Sequence, residues 1–133
     1  MTDALGNLVR FALLPGQRHD TIGVAPLIEG VEFDALIADK AFDVNWIIKE
    51  TNDRGATVVV SQRPNRKQPI AIDEDLYQWR HLIENFFCKL KEFKRIAMRA
   101  DKTDTSFAAM IHLCAAVIHS RRISTSPRPC GRI

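Results

Sequence analysis

The stretch YQWRHLIENFFCKLK, residues 77–91, carries Tyr77, Arg80, Glu84 and Lys91 at successive offsets of three, four and seven. On a helix turning about 100° per residue these four fall within roughly 60° of one another. Ile83, Phe86, Phe87 and Leu90 lie mostly on the other side, so the segment reads as an amphipathic helix with an apolar face for a core. Its polar row joins an aromatic hydroxyl, a guanidinium, a carboxylate and an ammonium. The simplest account is a solvated face with an Arg80–Glu84 pair four residues apart, worth a few tenths of a kcal/mol. A chemical role needs a second carboxylate, and Asp39 in ALIADKAFD is the candidate. It follows a short apolar run that reads as a buried strand, and ligands bind at such strand ends in open α/β sheets. Starting a turn is an equally good local account of Asp39, and its neighbours Lys40 and Asp43 read as ordinary turn and cap residues. A strand-end carboxylate and a helix carboxylate can share divalent metal. Their hard oxygens suit Mg²⁺, which keeps several waters and takes few protein carboxylates. Two such ions about 3.5–4 Å apart can clamp the attacking and leaving oxygens of a phosphodiester.

Cations accompany these carboxylates. Arg63, Arg66 and Lys67 lie in RPNRKQPIAIDEDL, a segment with two prolines and no apolar periodicity, which reads as a loop. Solvated charge explains them alone; beside a metal–carboxylate site they fit phosphate contacts. Lys89, Lys91, Lys94, Arg95 and Arg99 extend the basic character. His112 and His119 share a helix face near Cys114, but zinc would need a fourth ligand at suitable spacing, so they read as helix histidines with local partners. Trp79 reads as a packed aromatic or a base contact.

The elements that must position these groups follow from pattern. The chain has 133 residues, 46% apolar and 26% charged, with a net charge of +3 and a sequence pI near 8.9. These values fit one soluble domain, mildly basic and compatible with nucleic acid. Cys88, Cys114 and Cys130 form no CxxC pair and are odd in number, which argues against a disulfide framework and for a reducing cytoplasm. The first residues lack the apolar segment of a signal peptide, and the longest apolar run, 107–118, is too short to span a bilayer. Ala4-Leu5-Gly6-Asn7 is turn chemistry, and LVRFALL (8–14) reads as a strand closed by Pro15-Gly16. Only MTD precedes that turn, so a first strand is expected to be missing. A short helix is expected to about Glu29, capped by Asp20 or Thr21. A buried strand is expected over 33–39. A helix is expected over 44–55, with Asp43 as cap and Gly55 as stop. A β-branched strand follows over 56–62. Two helices are then expected, from about Asp73 to Arg95 and from about Asp104 to Arg122. Residues 123–133 are expected to be a disordered basic tail. Alternation of this kind indicates an α/β layered domain.

At this point the residues resemble a known family. The spacing Tyr-x2-Arg-x3-Glu-x6-Lys, met by Tyr77, Arg80, Glu84 and Lys91, is similar to the signature of DDE-type transposases of bacterial insertion sequences. ALIADKAFD resembles the surroundings of that family's second catalytic aspartate, and the basic loop stands in the corresponding order. The resemblance covers about residues 4 to 122 and implies that 1–122 are the C-terminal part of a catalytic domain. It implies an RNase H-like mixed sheet with flanking helices, and metal-dependent DNA cleavage and strand transfer with Mg²⁺ or Mn²⁺. Asp39 and Glu84 become metal ligands, and Tyr77, Arg80, Lys91, Arg63, Arg66 and Lys67 become supporting and DNA-binding residues. The implied partners are insertion-sequence ends, target DNA and an upstream transposase segment; a homo-oligomer is allowed and a membrane is not expected. The implied location is the bacterial cytoplasm at the nucleoid. The family's first aspartate has no counterpart except Asp3, poorly placed beside the DALGN turn, so the isolated chain is expected to be incomplete. A non-catalytic DNA-binding fragment that regulates the full transposase, and a purely structural α/β domain, are the competing accounts.

Overall fold

A computed structural model describes residues 1–122, which fold as two compact units: 14–80, and 1–13 together with the chain from His81. The expected tail, with Cys130, lies outside the described residues. Together the units give a helix-rich α/β protein with one two-stranded parallel sheet among the described residues.

In the unit of 14–80, β1 (Ala35–Ala38) and β2 (Thr57–Val60) pair in parallel, Ala35 opposite Thr57 and Ala38 opposite Val60. Both are shorter than the apolar runs that announce them. Val58, Val59 and Val60 are all buried, and alternate residues of a strand point to opposite faces, so β2 is covered on both. The crossover is α2 (Asn45–Asp53). It buries Ile47, Ile48 and Thr51 at helical spacing, and the Thr51 hydroxyl donates to the Ile47 carbonyl at 2.8 Å. Its end is written in the sequence. Gly55 adopts φ 73°, its N–H bonds the Asn52 carbonyl, and the Ala56 N–H bonds that of Thr51, a double closure that favours glycine. Ile47 packs with Val24 and Ile28 of α1 (Val24–Ile28), and Ile48 with Val58 and Val60. The helix expected from Asp20 or Thr21 begins instead as a 3-10 turn over Asp20–Gly23, and the residue before it, His19, makes no side-chain cap.

The long helix expected from Asp73 starts there, since Asp73 caps α3 (Glu74–Tyr77) by accepting from the Leu76 N–H at 3.0 Å. It does not run unbroken to Arg95. A 3-10 turn, Gln78–Arg80, follows α3, then α4 (His81–Lys91) and α5 (Lys94–Ala97). Residues 74–93 contain no Gly or Pro to break a helix. The tightening at 78–80 accompanies packing of α3 and the turn on β1, so tertiary contact decides it.

In the other unit, α6 (Asp104–Arg122) has the expected bounds. Ile111, Cys114, Ala115 and Ile118 form its buried stripe, packed with Phe86 and Leu90 of α4 and Ile96 of α5. Residues 8–14 are not a strand. A single antiparallel bridge joins Thr2 and Leu8 across a turn with Gly6 at φ 73°. Beyond it the Val9 and Arg10 N–H groups reach the Met1 carbonyl at 3.0 and 3.4 Å without extending the bridge into a ladder, and Leu8, Phe11 and Leu13 pack on the helical core. Phe87, expected on the apolar face of α4, is 52% exposed.

Candidate functional site: a basic groove at the strand ends

Parallel pairing brings the C-terminal ends of both strands to one side. Asp39 follows β1 and Ser61 follows β2, so the register that sets Ala38 against Val60 sets these two next to each other. An open groove of ≈ 1200 Å³ lies there. Asp39, Arg63, Arg66, Lys67, Tyr77 and Arg80, six residues singled out from the sequence, all line it, together with Lys40, Asp43, Asn45 and Ser61. Five cations stand against two carboxylates, so the groove is electropositive around Asp39.

Asp39 is exposed. Its Oδ1 caps the 3-10 turn Lys40–Phe42 by accepting from the Ala41 N–H at 2.8 Å. Among the described residues, its Oδ2 has no hydrogen-bond partner. The local expectation of a turn-starting aspartate is therefore met with one oxygen, which leaves the other for a ligand.

Asp43 differs from its expectation. It is not the cap of α2, whose preceding residue Val44 makes no side-chain cap. Asp43 is 7% exposed and both its oxygens are engaged by the basic loop. Oδ2 accepts from the Arg63 N–H at 2.8 Å, and Oδ1 forms a short ion pair with Arg66. Arg66 also donates to Asn45 Oδ1 at 3.2 Å and to the Gln68 carbonyl at 2.9 Å. Arg63 reaches the Lys40 and Ala41 carbonyls at 3.4 Å each. Pro64 and Asn65 form a turn closed by the Arg66 N–H on the Arg63 carbonyl at 3.1 Å. At the loop's base, the Gln62 amide bonds both the N–H and the carbonyl of Ile70. Removing one partner of a pair buried like Asp43–Arg66 costs about 3–5 kcal/mol. Arg66 is thus a tie within the fold, whereas Lys67 and Lys40 have no ion-pair partner among the described residues.

The opening quartet divides between the two units. Tyr77 and Arg80 belong to the groove, with the Arg80 guanidinium 5.6 Å from the centre of the Tyr77 ring. Glu84 and Lys91 lie on α4 in the other unit, both exposed and seven residues apart, hence on one face of that helix. Trp79 is 48% exposed rather than packed in a core. The remaining candidates are structural. His119 Nε2 accepts from the Leu8 N–H at 2.9 Å, and the His112 ring lies 4.9 Å from that of Phe11. Cys114 is buried, which pushes its thiol up. Asp3 accepts from the N–H groups of Leu5 and Asn7 at 2.9 and 2.8 Å and from the Asn7 side chain at 3.1 Å. Sequence reasoning missed Lys40, Asn45 and Ser61, although a strand-end aspartate already implied that the residues after both strands would line a common cleft. Asp43 left no local signal, because its partners lie 20 and 23 positions away.

The profile of the transposase DDE domain family matches residues 1–118. A protein of Brucella ovis (strain ATCC 25840 / 63/290 / NCTC 10512), named as a candidate transposase for insertion sequence element IS6501, is 36% identical over 123 residues, covering 91% of this chain and 95% of that relative. The chain belongs to the transposase DDE domain family. Membership ties it to DNA transposition. No solved structure matches it. Among the described residues, no helix is long and apolar enough to cross a membrane.

Proposed function

We propose that this chain carries part of the catalytic centre of a DDE transposase with an RNase H-like arrangement, cutting and joining DNA strands at insertion-sequence ends and target DNA. The observation that carries the proposal is the groove itself: a carboxylate at the C-terminal edge of a parallel sheet, held beside a basic loop. Its donor chemistry suits Mg²⁺ or Mn²⁺ in kind, since Asp39 Oδ2 is a hard oxygen with no hydrogen-bond partner among the described residues and Mg²⁺ takes one or two carboxylates alongside waters and substrate phosphates. It is not a closed cage. Among the described residues no group of three or more His, Cys, Asp or Glu could hold a metal, and both oxygens of Asp43 are engaged.

In this proposal Asp39 and Glu84 would hold the metal, which would supply Lewis-acid polarisation at the scissile phosphate and the attacking oxygen. The chain's own residues bind and orient the substrate. The Ala41 N–H fixes the Asp39 carboxylate through Oδ1. Lys40, Arg63 and Lys67 take up backbone phosphates along the groove, with Arg66 holding their loop. Tyr77 and Arg80 form one wall, and Lys91 adds a cation on the face of α4 that carries Glu84. Asp3 is committed to its turn, and in this reading an upstream transposase segment supplies the third carboxylate. The site of action is the bacterial nucleoid. The commitment of Asp3 also favours a second account, in which the isolated chain binds DNA without cutting it and regulates the complete transposase.

The test is cleavage of labelled duplex DNA in Mg²⁺ or Mn²⁺ by the isolated chain and by a fusion carrying the upstream segment. The fusion is expected to cut and the isolated chain not to. In the fusion, Asp39→Asn or Glu84→Gln is expected to abolish cleavage while leaving DNA binding largely intact. Cleavage that survives both substitutions refutes the site. DNA binding without cleavage by either protein favours the regulatory account.

A further inference from the structure

We infer that Asp43 is a positioning residue: its buried carboxylate fixes the basic loop 62–70 at the Asp39 turn and so sets where the groove's cations meet phosphate. The inference rests on the groove being a DNA site, as proposed above. Three features carry it. Asp43 is almost wholly buried, and the Arg66 side chain opposite it is 16% exposed, so the pair is part of the fold rather than a solvated contact. The two carboxylate oxygens grip different parts of the loop. Oδ2 holds its main chain at the Arg63 N–H, and Oδ1 holds its side chain at Arg66. Asp43 also ends the 3-10 turn that begins at Asp39, its N–H bonded to the Lys40 carbonyl at 3.3 Å. The Arg63 side chain closes the same circuit from the loop onto Lys40 and Ala41. A short chain of bonds therefore runs from the Asp39 carboxylate through its turn to the loop.

Simple electrostatics and positioning predict opposite signs here. Removing a negative charge from a groove that binds DNA should tighten binding, because phosphate repulsion falls. Loosening the loop should weaken binding despite the added positive charge. An asparagine at 43 can accept from the Arg63 N–H with its oxygen, but its amide then faces Arg66 donor to donor. A glutamine at 66 cures that conflict by accepting from the asparagine amide. The pair Asp43→Asn with Arg66→Gln also leaves the net charge unchanged, so rescue by the double variant isolates geometry from charge.

The experiment uses the full chain and a fluorescent 30-base-pair duplex, with hydrogen exchange read at single amides. In D43N the clash between the asparagine amide and Arg66 is expected to pull the loop off the carboxamide oxygen, so that protection of the Arg63 amide falls about tenfold, the equivalent of roughly 1.4 kcal/mol. Protection at Val58–Val60 should hold, which shows that the unit remains folded. DNA affinity should fall severalfold, and the double variant should recover both readouts. Unchanged Arg63 protection, or tighter DNA binding by D43N, overturns the inference. A double variant whose Arg63 amide recovers while its DNA binding stays impaired also overturns it, and points to direct contact by Asp43 or Arg66. The control is Lys40→Ala with Lys67→Ala: if binding ignores that change, the groove reading fails; if binding responds to it but not to D43N, the clamp alone fails.

Discussion

The salt dependence of DNA binding tests the groove quantitatively. Its lining holds five cations, but Arg66 is tied to Asp43, Asn45 and Gln68 and has little left for a phosphate. Of the other four, Arg80 stands against the Tyr77 ring and is left in place. Lys40, Lys67 and Arg63 are the three to replace, the last with one guanidinium nitrogen outside its two long bonds to carbonyls. Each phosphate contact contributes about 0.9 to the slope of log affinity against log salt, so replacing these three by alanine should flatten the slope by about 2.7. Over a fourfold rise in salt, from about 50 to 200 mM, the parent should lose roughly 40-fold more affinity than the triple variant. The loss should be alike on two duplexes of unrelated sequence, because phosphate contacts carry no sequence information. Fluorescence anisotropy across four or five salt concentrations measures it. A slope changed by less than one unit would return these cations to the solvated surface and remove the groove from the DNA path.

Three further outcomes are expected. Phe86, 1% exposed at the centre of the helical core, should cost about 3–5 kcal/mol on truncation to alanine, read from urea unfolding of the full chain; a loss under 1 kcal/mol would contradict that packing. Asp3 is pushed up by partial burial, but the hydrogen bonds from Asn7 and Leu5 outweigh that and hold its carboxyl below the ordinary 3.8. A depressed folded value adds stability above the unfolded value and loses it as pH falls through the folded one, so Asp3→Asn should narrow the stability difference between pH 6 and pH 2, measured by thermal melting. An identical pH profile would show that the turn contributes nothing through its charge. Asp39→Asn and Glu84→Gln should separate cleavage from DNA binding in the fused protein as described above.

Much of this protein is legible without its structure, where the signal is local. The bounds of α6 follow from Asp104 in its first turn and an apolar stripe at helical spacing through Ile111, Cys114, Ala115 and Ile118. The stop of α2 follows from Gly55, whose positive φ a side chain disfavours. The strand-end position of Asp39 follows from the apolar run before it, and the loop nature of 63–69 from its prolines and charges. The quartet's spacing carried the family, because spacing is a property of the chain itself.

What tertiary structure decided is non-local. Whether 8–14 forms a strand depends on a neighbour to bond with, and Leu8, Phe11 and Leu13 find helices instead. Whether 73–95 stays one helix depends on what its first turns pack against, and packing on β1 tightens Gln78–Arg80 and divides Tyr77 and Arg80 from Glu84 and Lys91. Above all, it set the meaning of Asp43. Four residues from Asp39 and alike in type, it looks no different in sequence. Burial and two loop donors from 20 and 23 positions away make one aspartate a clamp, while exposure leaves the other an oxygen to offer. A carboxylate's role is fixed by the donors and the dielectric around it, and only the folded chain brings those together.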